Sequence, residues 1–453
     1  MAAPKDLDVS TFLDDQPTSG RQWGVFILCM VVLAIDGFDT TSIGFIAPAL
    51  IDSWDISKQS LGPVMMSGLL GVAVGCIIAG PLADRYGRRL VIVISMLIVG
   101  VWSIACAFST DIVMLSAFRF LTGLGLGASM PNAATLVSEF APKRRRSQMV
   151  ASIYSGFAVG AALGGFGSDA LISNFGWGSV FIVGGVIPLV FCLVLIRYLP
   201  ESTAFLLSKG EAYKPRLVEA INRLRPGLAT HGCRIYTSED VLAGSGSVEA
   251  LFSPKYLLGT MAIWLMLFVG LINLYLLSSW LPLLVKGAGM TLGEAALIGA
   301  IFQAGGIFGN LAIGLKMDRW GHHKIVALTI LGGAITAAVI GLNTPSMRLL
   351  IPLGFVLGYF VNSANGGAYA LAAQFYPAQF RATGVSWATG IGRLGSITGA
   401  GIGATMLALG WGFRELFLFL SIPASVGILA LVIKYRSSRN ASAHGSDSAA
   451  QLG

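Results

Sequence analysis

The sequence predicts an all-α membrane protein with twelve transmembrane helices in two pseudo-symmetric six-helix bundles. Three observations predict it. The 453 residues are 55% hydrophobic and 11% charged, with a mean hydropathy of +0.76, whereas a soluble domain carries roughly 25% charged residues. Apolar stretches of about 20 residues, enough to cross a bilayer as a helix, recur along nearly the whole chain. Blocks of sequence in the first half also return in the second at an offset of 234–235 residues (Gly80 to Gly314, Glu139 to Gln374).

In chain order, residues 1–22 are polar and acidic (Asp6, Asp8, Asp14, Asp15) and lack a basic-then-apolar leader. They are expected to form a cytoplasmic segment, with the first span kept as an uncleaved helix. Spans at 23–50, 60–82, 90–108, 112–137, 147–172 and 176–198 form an N-terminal bundle, 23–198. A polar central loop, 199–255, follows. Spans at 256–285, 292–316, 324–342, 347–373, 382–408 and 413–434 form the C-terminal bundle, 256–434. The tail, 435–453, is small and polar and is expected to be disordered.

Charge placement gives sidedness. Of 30 Lys and Arg residues, Lys58, Lys286, Arg348 and Arg414 follow odd-numbered spans, and Arg119 and Arg393 lie inside spans. Every other one lies in the termini or in loops after even-numbered spans. That asymmetry places both termini in the cytoplasm of a multi-pass protein and explains the +8 net charge without a nucleic-acid partner. Lys143 to Arg146 fit the same pattern while being able to attract anionic lipid. The cysteines (Cys29, Cys76, Cys106, Cys192, Cys233) show no metal or disulfide spacing. No GxxxxGK[ST] occurs, and GLGLG (Gly123 to Gly127) lies inside a span with no preceding strand, so close helix packing explains it better than nucleotide binding. No cofactor and no metal are expected. None of the four histidines (His231, His322, His323, His444) lies inside a span, which argues against a membrane-embedded enzyme.

The repeat is visible in three places. GPLADRYGRR after span two matches GLKMDRWGHH after span eight, EFAPKRRR matches QFYPAQFR, and APAL around Pro48 matches LPLL around Pro282. Two parallel six-helix repeats imply a site near the midplane. These motifs, with LPEST at Leu199 to Thr203 and RFLTGLGLG at Arg119 to Gly127, resemble the major facilitator superfamily over essentially the whole chain. DGFDT (Asp36 to Thr40), GLGLGASMPN (Gly123 to Asn132) and RATGVSWATGIGRLG (Arg381 to Gly395) resemble its aromatic acid:proton symporter family, within it the branch carrying 4-hydroxybenzoate and protocatechuate. The resemblance implies proton-coupled uptake of a hydroxylated aromatic carboxylate by alternating access across a bacterial cytoplasmic membrane, by a monomer. Transport of another benzoate-type acid, export or antiport of an organic anion, and a membrane sensor for aromatic acids are the competing readings.

The candidate site residues follow from charges in apolar surroundings. Asp36 and Asp39 lie three residues apart on nearly one face of the first span, where a charge costs roughly 2.5–3.5 kcal/mol. In the repeat register Asp36 corresponds to Gly270, Asp39 to Asn273, Arg119 to Gly354, and Arg393 to Ala158. We therefore expect proton coupling at Asp36 and Asp39, with Arg119 and Glu139 taking part. Arg393 is expected to receive the substrate carboxylate, because a guanidinium matches that planar group; a structural ion pair is the competing role for either arginine. Phe38, Tyr275, Phe302, Gln303, Asn310, Asn365, Tyr369 and Trp387 lie at depths suited to an aromatic ring and its hydroxyl, though core packing also accounts for each. Asp84 and Asp318 end helices just before basic residues; the superfamily pattern implies gating there, with Arg85, Arg88, Arg89 and Arg381 as partners. Glu139 is expected to pair with the adjacent KRRR run. His323, in the place of Arg89, is suited to titration near neutral pH, and a solvated histidine is the alternative.

Overall fold

A computed structural model describes residues 6–8, 19–209, 213–224, 234–236, 248–376 and 381–450. The first half forms α1 (Gly20–Trp54), α2 (Gly62–Tyr86), α3 (Arg88–Ala107), α4 (Ile112–Phe140), α5 (Lys143–Phe175) and α6 (Gly178–Tyr198). The connecting segment carries α7 (Thr203–Ser208) and α8 (Lys214–Leu224). The second half forms α9 (Leu257–Gly287), α10 (Leu292–Trp320), α11 (His322–Leu342), α12 (Met347–Phe375) and α13 (Arg381–Ala408), then α14 (Phe413–Phe419) and α15 (Ser421–Ala450).

Eleven segments among the described residues are long and apolar enough to cross a membrane. The twelfth expected span is α13. Its 28 residues reach about 42 Å at 1.5 Å per residue, but Arg393 and many Gly, Ser and Thr residues make it more polar than its neighbours. Large apolar side chains such as Ile77, Leu193 and Leu315 face outward, as lipid-contacting helices require.

Two features differ from expectation. A short parallel ladder joins β1 (Asp6–Asp8) to β2 (Arg234–Tyr236), so the acidic leader and the connecting segment give their backbone groups to each other. The last helix continues to Ala450, through most of the segment expected to be disordered.

Backbone geometry carries the repeat. Among the described residues, those at positive φ fall into three pairs separated by 234 positions: Asp55 and Gly289, Gly87 and Gly321, Gly176 and Gly410. Each marks the same turn in the two halves. Helix contacts repeat as well. A Cβ on Gly160 would stand 1.7 Å from the carbonyl oxygen of Ala34, where α5 crosses α1, and one on Gly395 2.1 Å from that of Phe268, where α13 crosses α9. Similarly, Gly123 and Gly127 bring α4 against α2, and Gly358 brings α12 against α10. Gly125 lies against α3, so the GLGLG run is a packing surface on two sides.

The chain forms two compact units. One comprises Met1–Ser42, Ser67–Ala161 and Asn174–Val241; the other comprises Ile43–Met66, Ala162–Ser173 and Leu242–Gly453. The boundary departs from the expected halves because the ends of α1 and α5 and the start of α2 pack with later helices. In the second unit, Gly44 lies against the Ser278 carbonyl, Gly165 against Ala300, and Lys286 pairs with Asp52. A core around Leu33, Met96 and Phe140 fills the first unit, and one around Leu267, Val326 and Leu371 the second.

Candidate functional site

In the first unit, α1 brings Asp36 and Asp39 into the interior, 3% and 1% exposed. Across from them α4 contributes Arg119, also 3% exposed. Its Nη1 donates to Asp39 Oδ2 at 2.7 Å and its Nη2 to the Asp39 carbonyl at 3.1 Å. The Ser103 hydroxyl lies 3.3 Å from Asp39 Oδ1, and the guanidinium sits 5.6 Å from the centre of the Phe181 ring. Asp36 accepts from the Thr40 hydroxyl at 3.0 Å. Arg119 thus pairs with the second aspartate of the motif. Arg119 Nε has no hydrogen-bond partner among the described residues. Phe38 lies beside Gly184 on α6, whose missing Cβ leaves room for the ring. Ser103 and Phe181 were not singled out from sequence; neither is charged, and only the fold brings them to Asp39.

A second polar cluster lies where α2, α3, α4 and the segment after α6 meet. Arg88 Nε is 3.1 Å from Glu139 Oε1, and Glu139 Oε2 accepts from the Ser202 hydroxyl. The Arg89 backbone N–H donates to Glu201 Oε1 at 3.1 Å, while its guanidinium donates to the Ile196 carbonyl. A Cβ on Gly87 would fall 2.3 Å from Glu201 Oε2. Arg85 lies over the Tyr86 ring. Among the described side chains, Arg88 pairs with Glu139. In the KRRR run only the Arg145 side chain is described, and it is exposed. Glu139 also stands twenty residues along α4 from Arg119, about 30 Å, so it belongs to this cluster and not to the buried acid pair. Glu201 and Ser202 sit in the LPEST motif, which signalled them without saying what they touch. The side chains of Asp84, Asp318 and Arg381 lie outside the described residues.

The second unit holds the remaining candidates. Arg393 Nη1 donates to the Tyr275 hydroxyl at 3.2 Å, joining α13 to α9. Gln303 donates weakly to the Ser278 hydroxyl at 3.4 Å, and Phe302 is fully buried at the α10–α12 crossing. Asn310 faces Gly366, and Tyr369 is half-buried against the core. Trp387 is 44% exposed and stacks on Trp264, which sequence reasoning did not single out, with ring centres 5.8 Å apart. Asn365 Nδ2 donates to the Val361 and Gly270 carbonyls. His323 Nε2 lies 2.8 Å from Lys434 Nζ and its ring packs on Tyr435, so it is neither simply solvated nor among acids. That contact needs a ring nitrogen that accepts, which is a neutral imidazole. Lys316 reaches the Tyr359 hydroxyl and lies over its ring. No cluster of potential metal ligands occurs among the described residues.

Charged groups inside membrane-spanning helices mark paths for ionised solutes or protons. Comparison with known proteins agrees. The family model described as Major Facilitator Superfamily matches residues 29–346 and 263–451. The 4-hydroxybenzoate transporter PcaK of Pseudomonas aeruginosa is 44% identical over 96% of this chain and 97% of its own length. A gallate transporter of Pseudomonas putida is 39% identical over 94% of each. Among solved structures, the xylose transporter XylE from E. coli, in a partially occluded inward-open conformation, aligns with TM-score 0.71. The alignment has 16% identity over 92% of this chain and 98% of that one.

Proposed function

The chain belongs to the major facilitator superfamily, and on that premise we propose that it imports hydroxylated aromatic carboxylates together with protons. Its substrate class is that of 4-hydroxybenzoate and protocatechuate. The observation that carries this reading is end-to-end likeness to a transporter named for 4-hydroxybenzoate. The gallate-named relative favours a second reading, a preference for more heavily hydroxylated rings. The setting is a bacterial cytoplasmic membrane, with both termini in the cytoplasm and the monomer as the working unit; the positive-inside distribution supports that orientation.

The buried acids of the first unit supply the proton site. A proton arriving on Asp39 removes the charge that holds Arg119, so protonation and rearrangement of α1 against α4 are linked. Asp36 extends the same acidic face. Arg393 in the second unit presents its guanidinium to the substrate carboxylate, with the Tyr275 hydroxyl orienting it. Phe38, Gln303, Asn310 and Tyr369 remain candidates for contacts to the ring and its hydroxyl; Phe302, Asn365 and Trp387 are more readily explained by packing. The Arg88–Glu139 and Arg89–Glu201 contacts act as a cytoplasmic latch within the first unit; Asp84, Arg85, Asp318, His323 and Arg381 are further gating candidates.

Uptake of radiolabelled 4-hydroxybenzoate into cells expressing the chain tests the reading. It is run with and without a protonophore, beside Asp36→Asn, Asp39→Asn and Arg393→Ala at matched expression. Protonophore-sensitive accumulation in the wild type that the variants lose is the expected result. Uptake equal to that of empty cells would reject the substrate. Competition by unlabelled gallate, protocatechuate and benzoate separates the two substrate readings.

A further inference from the structure

The second unit contains a cavity of about 40 Å³, bordered by α9, α11, α12 and the start of α15. Its walls are largely apolar, with Met266, Ile330, Leu357 and Val361 among them, but two amides open onto it. Asn365, 5% exposed, uses its Nδ2 on the Gly270 and Val361 carbonyls. Asn273 uses its Nδ2 on the Leu420 carbonyl. Both Oδ1 atoms are buried, and no protein donor among the described residues reaches either. Flipping the Asn365 amide would leave its donors unmet instead, because both carbonyls it now meets are acceptors. A buried carbonyl without a donor is costly, and two in one cavity point to a shared guest.

Pseudo-symmetry explains why the space exists. Asn273 holds the place of Asp39, Ala337 on the cavity wall that of Ser103, and Gly354 that of Arg119. In the first unit an arginine reaches across from α4 to the residue on α1. In the second, glycine provides no side chain to do so, and the carboxylate has become an amide. The charges have gone, but acceptor oxygens and room for a small donor remain.

We propose that this cavity is a hydration site, whose ordered water donates to Asn273 Oδ1 and Asn365 Oδ1 and bridges α9 to α12. The dimensions admit it, since a single water occupies only roughly 10–15 Å³ as a probe sphere. Among the described lining residues the buried side-chain oxygens without a donor are two neutral amide carbonyls, a poor set for a dehydrated metal cation, which takes six or more oxygens in a calcium site. The guest is therefore neutral and able to donate twice. A water bridge can re-form as the helices shift by an ångström, whereas a direct side-chain bond at this point would not.

Radiolytic hydroxyl labelling of the full-length protein in lipid nanodiscs, read by mass spectrometry, tests this directly. Bound water next to a side chain is activated in place. Met266 in the wild type is therefore expected to be oxidised well above Met96, which is buried in the core of the first unit. In Asn273→Leu/Asn365→Leu, and in Asn365→Leu alone should the double variant not fold, Met266 labelling is expected to fall to the Met96 level. Crystals under xenon supply the opposite readout, because dry apolar cavities take up xenon. Xenon in the wild-type cavity, or Met266 labelling no higher than Met96, would overturn the proposal.

Discussion

A guanidinium and a carboxylate buried together constrain each other more than either constrains the fold. Removing one partner of such a pair leaves an uncompensated charge and costs about 3–5 kcal/mol, while replacing both with neutral groups is often tolerated. Arg119→Ala is therefore expected to lower the melting temperature and yield of the purified protein, because Asp39 stays behind. Asp39→Asn/Arg119→Gln should regain much of that stability without regaining accumulation driven by a proton gradient. If the double variant both folds and accumulates substrate, the pair is structural and the proton site lies elsewhere. Arg393 makes a sharper case. Lysine keeps the charge but not the planar fork that grips a carboxylate at two points. Arg393→Lys is expected to raise KM for uptake about tenfold, the equivalent of about 1.4 kcal/mol, with Vmax less affected. An unchanged KM would assign Arg393 to packing.

At the level of helices, glycine decides which pairs approach. Gly160 has no space for a side chain, since its Cβ would overlap the Ala34 carbonyl oxygen, whereas a Cβ on Gly167, further along α5, would meet nothing within 4 Å. Overpacking a close crossing costs about 1–3 kcal/mol or more. Gly160→Val should therefore destabilise the detergent-purified protein clearly, with Gly167→Ala as the silent control. A small effect at Gly160 would mean that α1 and α5 are not held at this distance. The twelve spans, the packing role of GLGLG and the repeat register were legible in the sequence because bilayer thickness and helix contact each leave a periodic trace. The turns were partly legible: Gly87 and Gly321 stand in matching motifs, but their shared positive φ shows only in the backbone. The partners of Arg88 and Arg89 were not legible. Glu139 and Glu201 are 51 and 112 positions away from them, and local pattern carries no trace of a contact made by tertiary packing. Asp36, Asp39, Arg119 and Arg393 stood out because charge inside an apolar span is conspicuous, but the choice of Asp39 as the partner of Arg119 needed the geometry. The phenyl and tyrosyl candidates stayed ambiguous for the opposite reason, since aromatic residues fill cores and ligand slots alike.

For the molecule as a whole, the proposed proton coupling implies a charge-balance rule. Four ionisable residues fall well inside the spans, Asp36, Asp39, Arg119 and Arg393, and the proposed cycle takes all four as charged when the carrier is empty. Without cargo they sum to zero. Adding a benzoate-type monoanion alone leaves one negative charge, and adding a proton alone leaves one positive charge. Each uncompensated charge costs roughly 2.5–3.5 kcal/mol in the hydrocarbon, enough to suppress reorientation by about a hundredfold at 1.4 kcal/mol per factor of ten. Both together restore neutrality. A carrier built this way moves when empty or doubly loaded and stalls when half loaded, which is symport of one proton with one anion. The cycle then moves no net charge, so the membrane potential, worth about 2.3 kcal/mol per charge at 100 mV, neither drives nor opposes it. In proteoliposomes containing the purified chain, a pH gradient acid outside should drive 4-hydroxybenzoate accumulation. An inside-negative potassium diffusion potential at equal pH should not. Accumulation driven by the potential alone would require a second proton per anion, with Asp36 and Asp39 both titrating in each cycle.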